Sequence, residues 1–182
     1  IDELIENNNL QFVEHNVQEV VEENSINIVF NIFEGEKKLV ERINISGNNT
    51  TNENVIRGEL LLDEGDPLTD LTLQKSISEI KARGIFKNVE YKIIDGSEDN
   101  LKIIEIAVEE QSTGEISAGA GIGTSGGTLA FAIKENNWLG EGKSLGFDVQ
   151  LTNDSIGGFI TYRNPNYDFL GNSVFYRLSS EK

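Results

Sequence analysis

Apolar and polar residues alternate with a period of two through much of the chain, and one stretch switches to helical spacing. Leu39, Ile43 and Ile45 alternate with Val40, Arg42 and Asn44 and stop at the turn pair Gly47-Asn48, which predicts a half-buried strand. Thr51 or Asn52 is placed to cap a helix over NENVIRGEL, with Glu53 in the first turn, where the helix dipole favours an anion. Leu60 to Asp66 reads as a loop. Leu73, Ile77 and Ile80, spaced 4 and 3 apart, predict a second helix from about Asp70. Lys81 and Arg83 fall in its last turn, and Gly84 suits a left-handed cap. Val89, Tyr91 and Ile93, then Ile104, Ile106 and Val108, form two alternating sets around the polar turn at 95–100, as antiparallel strands do. The order is β-α-α-β-β.

A short repeat extends this parsing upstream. INIVFNIFEGE at 26–36 resembles LKIIEIAVEEQ at 101–111, with Ile28 on Ile103, Val29 on Ile104, Phe33 on Val108 and Glu34 on Glu109. Residues 1–36 therefore read as the tail of a preceding module: a helix end at 1–8, a strand near Asn16 to Val21 and another from Ile26.

Downstream of Gly114 only strands are predicted. Ile116, Ala118, Ala120 and Ile122 alternate with Ser117, Gly119, Gly121 and Gly123. Leu129, Phe131 and Ile133 alternate with Thr128, Ala130, Ala132 and Lys134; Leu145, Phe147, Val149 and Leu151 alternate with Ser144, Gly146, Asp148 and Gln150. Runs of about nine residues match a tilted membrane-spanning strand. A tight turn falls at 124–127 and a longer one at 136–142, where Trp138 is a candidate membrane-interface anchor; Tyr162, Tyr167 and Phe169 extend the belt around the next turn. Alternation alone leaves two readings open, a lipid-facing barrel wall or a soluble meander whose apolar face packs on another sheet. Four strands and the start of a fifth, SVFYRL at 173–178, fall short of the about eight that close a bacterial barrel.

Charge separates the same regions. Up to Glu110 there are 24 acidic and 10 basic residues, against 7 and 5 afterwards, while 12 of the 18 glycines follow Gln111. The main domain cut is placed at Gln111 to Gly114, giving 1–36, 37–112 and 113–182. A net charge of −16 excludes nucleic acid as a natural partner. No Cys and a single His, His15, remove thiol nucleophiles, Cys-rich metal sites and His-dependent triads. The acidic start lacks the features of a signal peptide, and the absence of Met throughout predicts a piece of a longer protein.

The remaining clusters have plain readings. Asp63, Glu64, Asp66 and Asp70 do not match EF-hand spacing and read as a solvated acidic loop. Glu109 and Glu110 are adjacent on a strand and point to opposite faces, the wrong arrangement for two carboxylates sharing a substrate. His15 reads as a surface or packing residue. No catalytic, cofactor or metal site is expected, and the protein is not expected to be an enzyme.

INISGN at 43–48, the helix ENVIRGEL, EGDPLTD and KARGIFKNVEY at 81–91 resemble the polypeptide-transport-associated (POTRA) domain. AGIGTSGG, ENNWLGEGKSLG and YRNPNYDFLG continue the resemblance into the barrel start of BamA-like outer-membrane assembly factors, across essentially the whole chain. The resemblance implies an α+β POTRA module followed by the antiparallel strands of an incomplete transmembrane β-barrel, located in the bacterial outer membrane with the POTRA region in the periplasm. Its implied partners are unfolded outer-membrane proteins, accessory assembly lipoproteins and outer-membrane lipid.

The resemblance also makes Asn88, Val89, Glu90, Tyr91, Lys92, Ile93 and Ile94 the edge that pairs with client strands, and Glu59 the contact for an accessory lipoprotein. A simple exposed helical Glu is the alternative for Glu59. Gly119, Gly121 and Gly123 are the candidate lateral-gate positions, because glycine weakens a strand; small residues fitting a crowded or bent wall are the alternative. A two-partner secretion or translocation-and-assembly transporter of the same superfamily, or a soluble periplasmic binding module, are the rival functions.

Overall fold

A computed structural model describes residues 13–22, 25–35, 38–123, 126–168 and 171–182. The helix end expected at 1–8, Thr124 and Ser125 of the tight turn, and Phe169 lie outside the described residues. The chain divides into two compact units whose segments interleave: Ile1–Asn44, Leu61–Ser76 and Tyr91–Ile106 in one, Ile45–Leu60, Ile77–Glu90 and Ala107–Lys182 in the other.

The first unit begins with an antiparallel hairpin, β1 (Val13–Glu22) with β2 (Ser25–Glu34), in register from Val13 opposite Glu34 to Glu22 opposite Ser25. Val17, Val21, Ile26, Ile28, Phe30 and Ile32 share one face of it and are exposed. A three-stranded sheet follows, built from β3 (Leu39–Ser46), β4 (Phe86–Asp95) and β5 (Leu101–Glu110) in the order β3-β5-β4. Each of these strands contributes residues to both units.

Two helices separate β3 from β4. The first, α1 (Glu53–Arg57), is only five residues, shorter than the NENVIRGEL pattern suggests. Asn52 makes no side-chain cap, and the Thr51 hydroxyl, the other expected cap, is taken by Asn137 Nδ2 at 2.9 Å. The second, α2 (Asp70–Ala82), buries Leu73, Ile77 and Ile80 as their spacing requires. Ser76, also on α2, is fully buried and satisfied: its Oγ donates to Thr72 O and accepts the Leu61 N–H. Gly84 closes the helix in the left-handed conformation (φ 68°), and Ile85 and Phe86 enter the core directly after it.

In the first unit the core holds Val40, Ile43, Leu62, Leu73, Ile104 and Ile106; in the second it holds Ile56, Ile77, Ile80, Ile85, Phe86, Val89 and Val108. One position departs from the period-two reading. Val40, expected on the polar face of β3, is 1% exposed. The 60s loop folds over it, with Val40 N–H donating to Asp66 O and Gly65 N–H to Val40 O.

The rest of the second unit is a five-stranded antiparallel meander, in the order β10-β9-β8-β7-β6. Its strands are β6 (Gly114–Gly123), β7 (Gly126–Trp138), β8 (Lys143–Thr152), β9 (Ile156–Asn164) and β10 (Val174–Glu181). β7 runs further into the 136–142 segment than the turn pattern predicts, because a register shift between Glu135 and Trp138 carries the pairing around to Lys143.

Ile104 sits at the centre of β5 with no exposure. Ile104→Ala should cost about 3 kcal/mol of unfolding free energy, read by denaturant titration of the protein in detergent.

Candidate functional site

The two edges of the three-stranded sheet are treated differently. The β3 edge is closed by the chain itself: Gly65 N–H donates to Val40 O at 2.7 Å, Leu68 N–H to Lys38 O at 2.8 Å, and Ile43 N–H to the Glu64 carboxylate at 3.0 Å. Asp66 holds the same loop by accepting the Asp63 N–H at 2.8 Å. Glu64 and Asp66 thus help to close this edge, while all four acidic residues of the cluster stay exposed, as expected of a solvated loop. The outer edge of β4 has no hydrogen-bond partner among the described residues, and Lys87, Asn88, Glu90, Tyr91, Lys92, Ile93 and Ile94 are exposed along it. Glu109 pairs with Lys87 at 2.6 Å, whereas Glu110 turns away to accept the Thr50 and Thr51 N–H groups at 3.0 and 2.6 Å. The two carboxylates do not converge.

In the meander, register assigns every side chain to a face. Ile116 lies opposite Ile133, Ile133 opposite Phe147, Phe147 opposite Ile160, and Ile160 opposite Leu178, so one face is apolar across all five strands. None of these side chains is buried, and exposure reaches 75% at Ile116. The opposite face carries Lys134, Asp148, Gln150, Thr161, Arg163 and Arg177, with the Arg177 guanidinium 3.9 Å above the Phe159 ring. Strands β6 to β9 have 10, 13, 10 and 9 residues, enough to cross a bilayer core when tilted.

Gly119, Gly121 and Gly123 lie on the polar face of β6, opposite Ala130, Thr128 and Gly126. A Cβ at any of the three would meet no described atom within 4 Å. Trp138, opposite Lys143, and Tyr162, opposite Leu145 and Tyr176, lie on the apolar face at the end of the sheet where β6 begins. The Tyr162 and Tyr176 rings are 6.2 Å apart. Tyr167 is exposed in the β9–β10 turn at the same end, its N–H bonded to Asn172 O at 2.8 Å.

That end of the meander is fastened to the segment around α1. Asn137 is buried: its Nδ2 donates to Thr51 Oγ1, and its Oδ1 accepts the Gly142 N–H at 2.8 Å. Asn52 N–H donates to Gly140 O at 2.8 Å. Glu59 is reached by Asn166 Nδ2 at 2.6 Å and by Arg83 at 3.3 Å. Burial pushes the Glu59 carboxyl up, against the pull of Arg83 and the Asn166 hydrogen bond. For Glu110, burial alone would also push the carboxyl up, but hydrogen bonds from Thr51, Thr50 and Asn49 outweigh it and hold the group below its ordinary range.

Residues 39–111 match the family model for POTRA, described as a surface antigen variable number repeat. Residues 39–111 are a POTRA module. The outer membrane protein assembly factor BamA of Neorickettsia risticii is 34% identical over 167 residues, 86% of this chain and 22% of that protein. BamA of Neisseria meningitidis serogroup B is 28% identical over 158 residues, 85% of this chain and 20% of that protein. A crystal structure of BamA from Haemophilus ducreyi lacking POTRA domains 1–3 is similar with a TM-score of 0.78 and 25% identity, covering 93% of this chain and 32% of that one. CdiB from Escherichia coli shares the fold at a TM-score of 0.57 and 14% identity, over 91% of this chain and 32% of its own. The chain spans about a fifth of the length of the curated relatives it matches. It is BamA-like: a POTRA module followed by an open sheet that resembles the BamA barrel region.

Asn88 and Glu90 to Ile94 are exposed along the outer strand of the POTRA sheet, whereas Val89, expected among them, turns its side chain into the core, and the following sheet gathers Trp138 and Tyr162 on one apolar rim. Glu59 stands apart from both, 12% exposed and occupied by Arg83 and Asn166. Tyr176 on that rim, and Asn137 and Arg83 at the junction, were not legible as site residues. Alternation in SVFYRL would have placed Tyr176, but nothing local in the sequence marks Asn137 or Arg83.

A Cβ on Gly140 would lie 2.1 Å from Thr50 O, on a backbone with φ 72°. Gly140→Ala should therefore cost at least about 2 kcal/mol, seen as faster amide exchange at Asn52. Glu110, depressed in the folded state, adds stability that is present above its unfolded pKa and lost as pH falls through the folded one. Glu110→Gln should lower stability above pH 5 by about 1 kcal/mol, discounted for solvent exposure. The gap to wild type should close in acid, as pH-dependent thermal unfolding would show.

Proposed function

We propose that this chain is part of an outer-membrane protein assembly factor, with the POTRA module receiving unfolded client strands and the adjoining barrel seam assisting their insertion. The observation that carries this reading is the asymmetry of the POTRA sheet, whose β3 edge is closed by its own loop while the β4 edge is open. An open edge pairs through backbone groups, so it accepts strands of many sequences. The chain resides in the bacterial outer membrane, with its POTRA module in the periplasm.

Domain limits of 1–36, 37–112 and 113–182 follow on this reading: the end of a preceding POTRA module, a complete one, and the first strands of the barrel. The uncovered apolar face is the lipid face, with Trp138, Tyr162 and Tyr167 as anchors at the periplasmic interface. Gly119, Gly121 and Gly123 serve as the gate, since glycine lowers the pairing strength of β6. No residue is given a catalytic or cofactor role. Glu59, in the turn that follows α1, is the contact for an accessory lipoprotein, which must displace Arg83 and Asn166 from its carboxylate. A superfamily transporter is the second reading, motivated by the shared fold with CdiB, but the identity of 14% is well below the 34% to a BamA.

Photo-cross-linkers at Asn88, Glu90 and Lys92 should capture unfolded outer-membrane proteins in cells. The same groups at Arg42 and Asn44 on the closed edge should capture about a fifth as much or less. Equal capture at both edges, or none at β4, would remove the client-edge reading.

A further inference from the structure

The junction holds one buried charge pair that neither the client edge nor the gate requires. Arg83, one residue beyond α2, is 13% exposed at its side chain. Its Nη2 donates to Gly142 O at 2.5 Å in the β7–β8 turn, and its Nη1 lies 3.3 Å from Glu59 Oε1. Glu59 in turn accepts from Asn166 Nδ2 at 2.6 Å in the β9–β10 turn. One guanidinium and one carboxylate therefore reach both turns at this end of the sheet. Arg83 Nε is buried with no hydrogen-bond partner among the described residues.

Stability alone does not account for such a pair. Burial pushes Arg83 down and Glu59 up, each toward its neutral form, and an apolar pair of similar size would hold two surfaces together equally well. What an apolar pair lacks is direction. A planar fork of N–H groups that meets a carboxylate on one side and a backbone carbonyl on the other fixes both position and orientation.

We propose that Arg83 is a positioning residue, which acts through Gly142 and Glu59 to hold the β7–β8 and β9–β10 turns in one geometry against the POTRA helices. Its effect on insertion rests on the function proposed above; its effect on the turns does not.

Hydrogen exchange on the full-length protein in lipid vesicles separates the two. In Arg83→Met the amides of Gly140 and Gly142 should exchange at least about tenfold faster, with those of Ile104 and Ile106 in β5 unchanged. An unchanged turn, or an equal rise in β5, would overturn the proposal. Glu59→Gln keeps an acceptor for both Arg83 and Asn166, and should leave both turns within about twofold of wild type, whereas Glu59→Ala should loosen the Tyr167 amide about fivefold or more. Gln as loose as Ala would mean that charge, and not positioning, holds the turns. In the same vesicles, folding of a urea-unfolded eight-stranded barrel should slow at least about fivefold in Arg83→Met while cross-linking at Glu90 stays at the wild-type level. A parallel fall in cross-linking would count against positioning. Wild-type protein that accelerates no client folding would sink the function proposed above and leave the exchange result to decide Arg83.

Discussion

Every strand edge carries backbone donors and acceptors that need partners, and this requirement organises the chain. The POTRA sheet meets it on one side by folding the 60s loop along β3, where Glu64 and backbone groups from Gly65 to Leu68 supply the bonds. On the other side it leaves β4 open. The meander has two further edges, on β6 and β10.

The meander adds a second constraint, since its apolar face is continuous and uncovered. Four antiparallel pairings carry the same face from Ile116 to Leu178 without a break in parity. This disfavours a soluble sandwich, which would bury those side chains against another sheet. On the function proposed above, lipid would supply the missing apolar phase and the aromatic side chains at one rim would meet the boundary between lipid and water. The polar face retains charged and hydroxyl groups, as a water-filled lumen allows.

Between these regions the contacts are polar and short-ranged. Asn137, Arg83 and Glu59 are largely withdrawn from water and spend their hydrogen bonds on turns of the meander. Such contacts contribute little net stability but reject misplaced alternatives, because a buried polar group without its partner costs the full desolvation penalty. Glu59 shows the consequence. Any partner that takes its carboxylate must compete with Arg83 and Asn166.

Periodicity alone determined most of the elements. Spacing of 4 and 3 along α2 and the period of two along β5 report burial on one face, and the same period along β6 to β8 reports one apolar face, each a purely local property of the chain. Gly84 as a helix stop was equally legible, because its left-handed conformation is a backbone demand. Tertiary structure decided the rest. Val40 is buried because a loop 25 residues downstream lies over it, and no pattern within β3 carries that information. Thr51 stands one residue before the N-cap position, which Asn52 occupies, and its hydroxyl instead accepts from Asn137, distant in sequence. Which of β3 and β4 is open, and that Arg83 joins two turns, depend on where separate segments meet, and a local hydrophobic period does not encode such meetings.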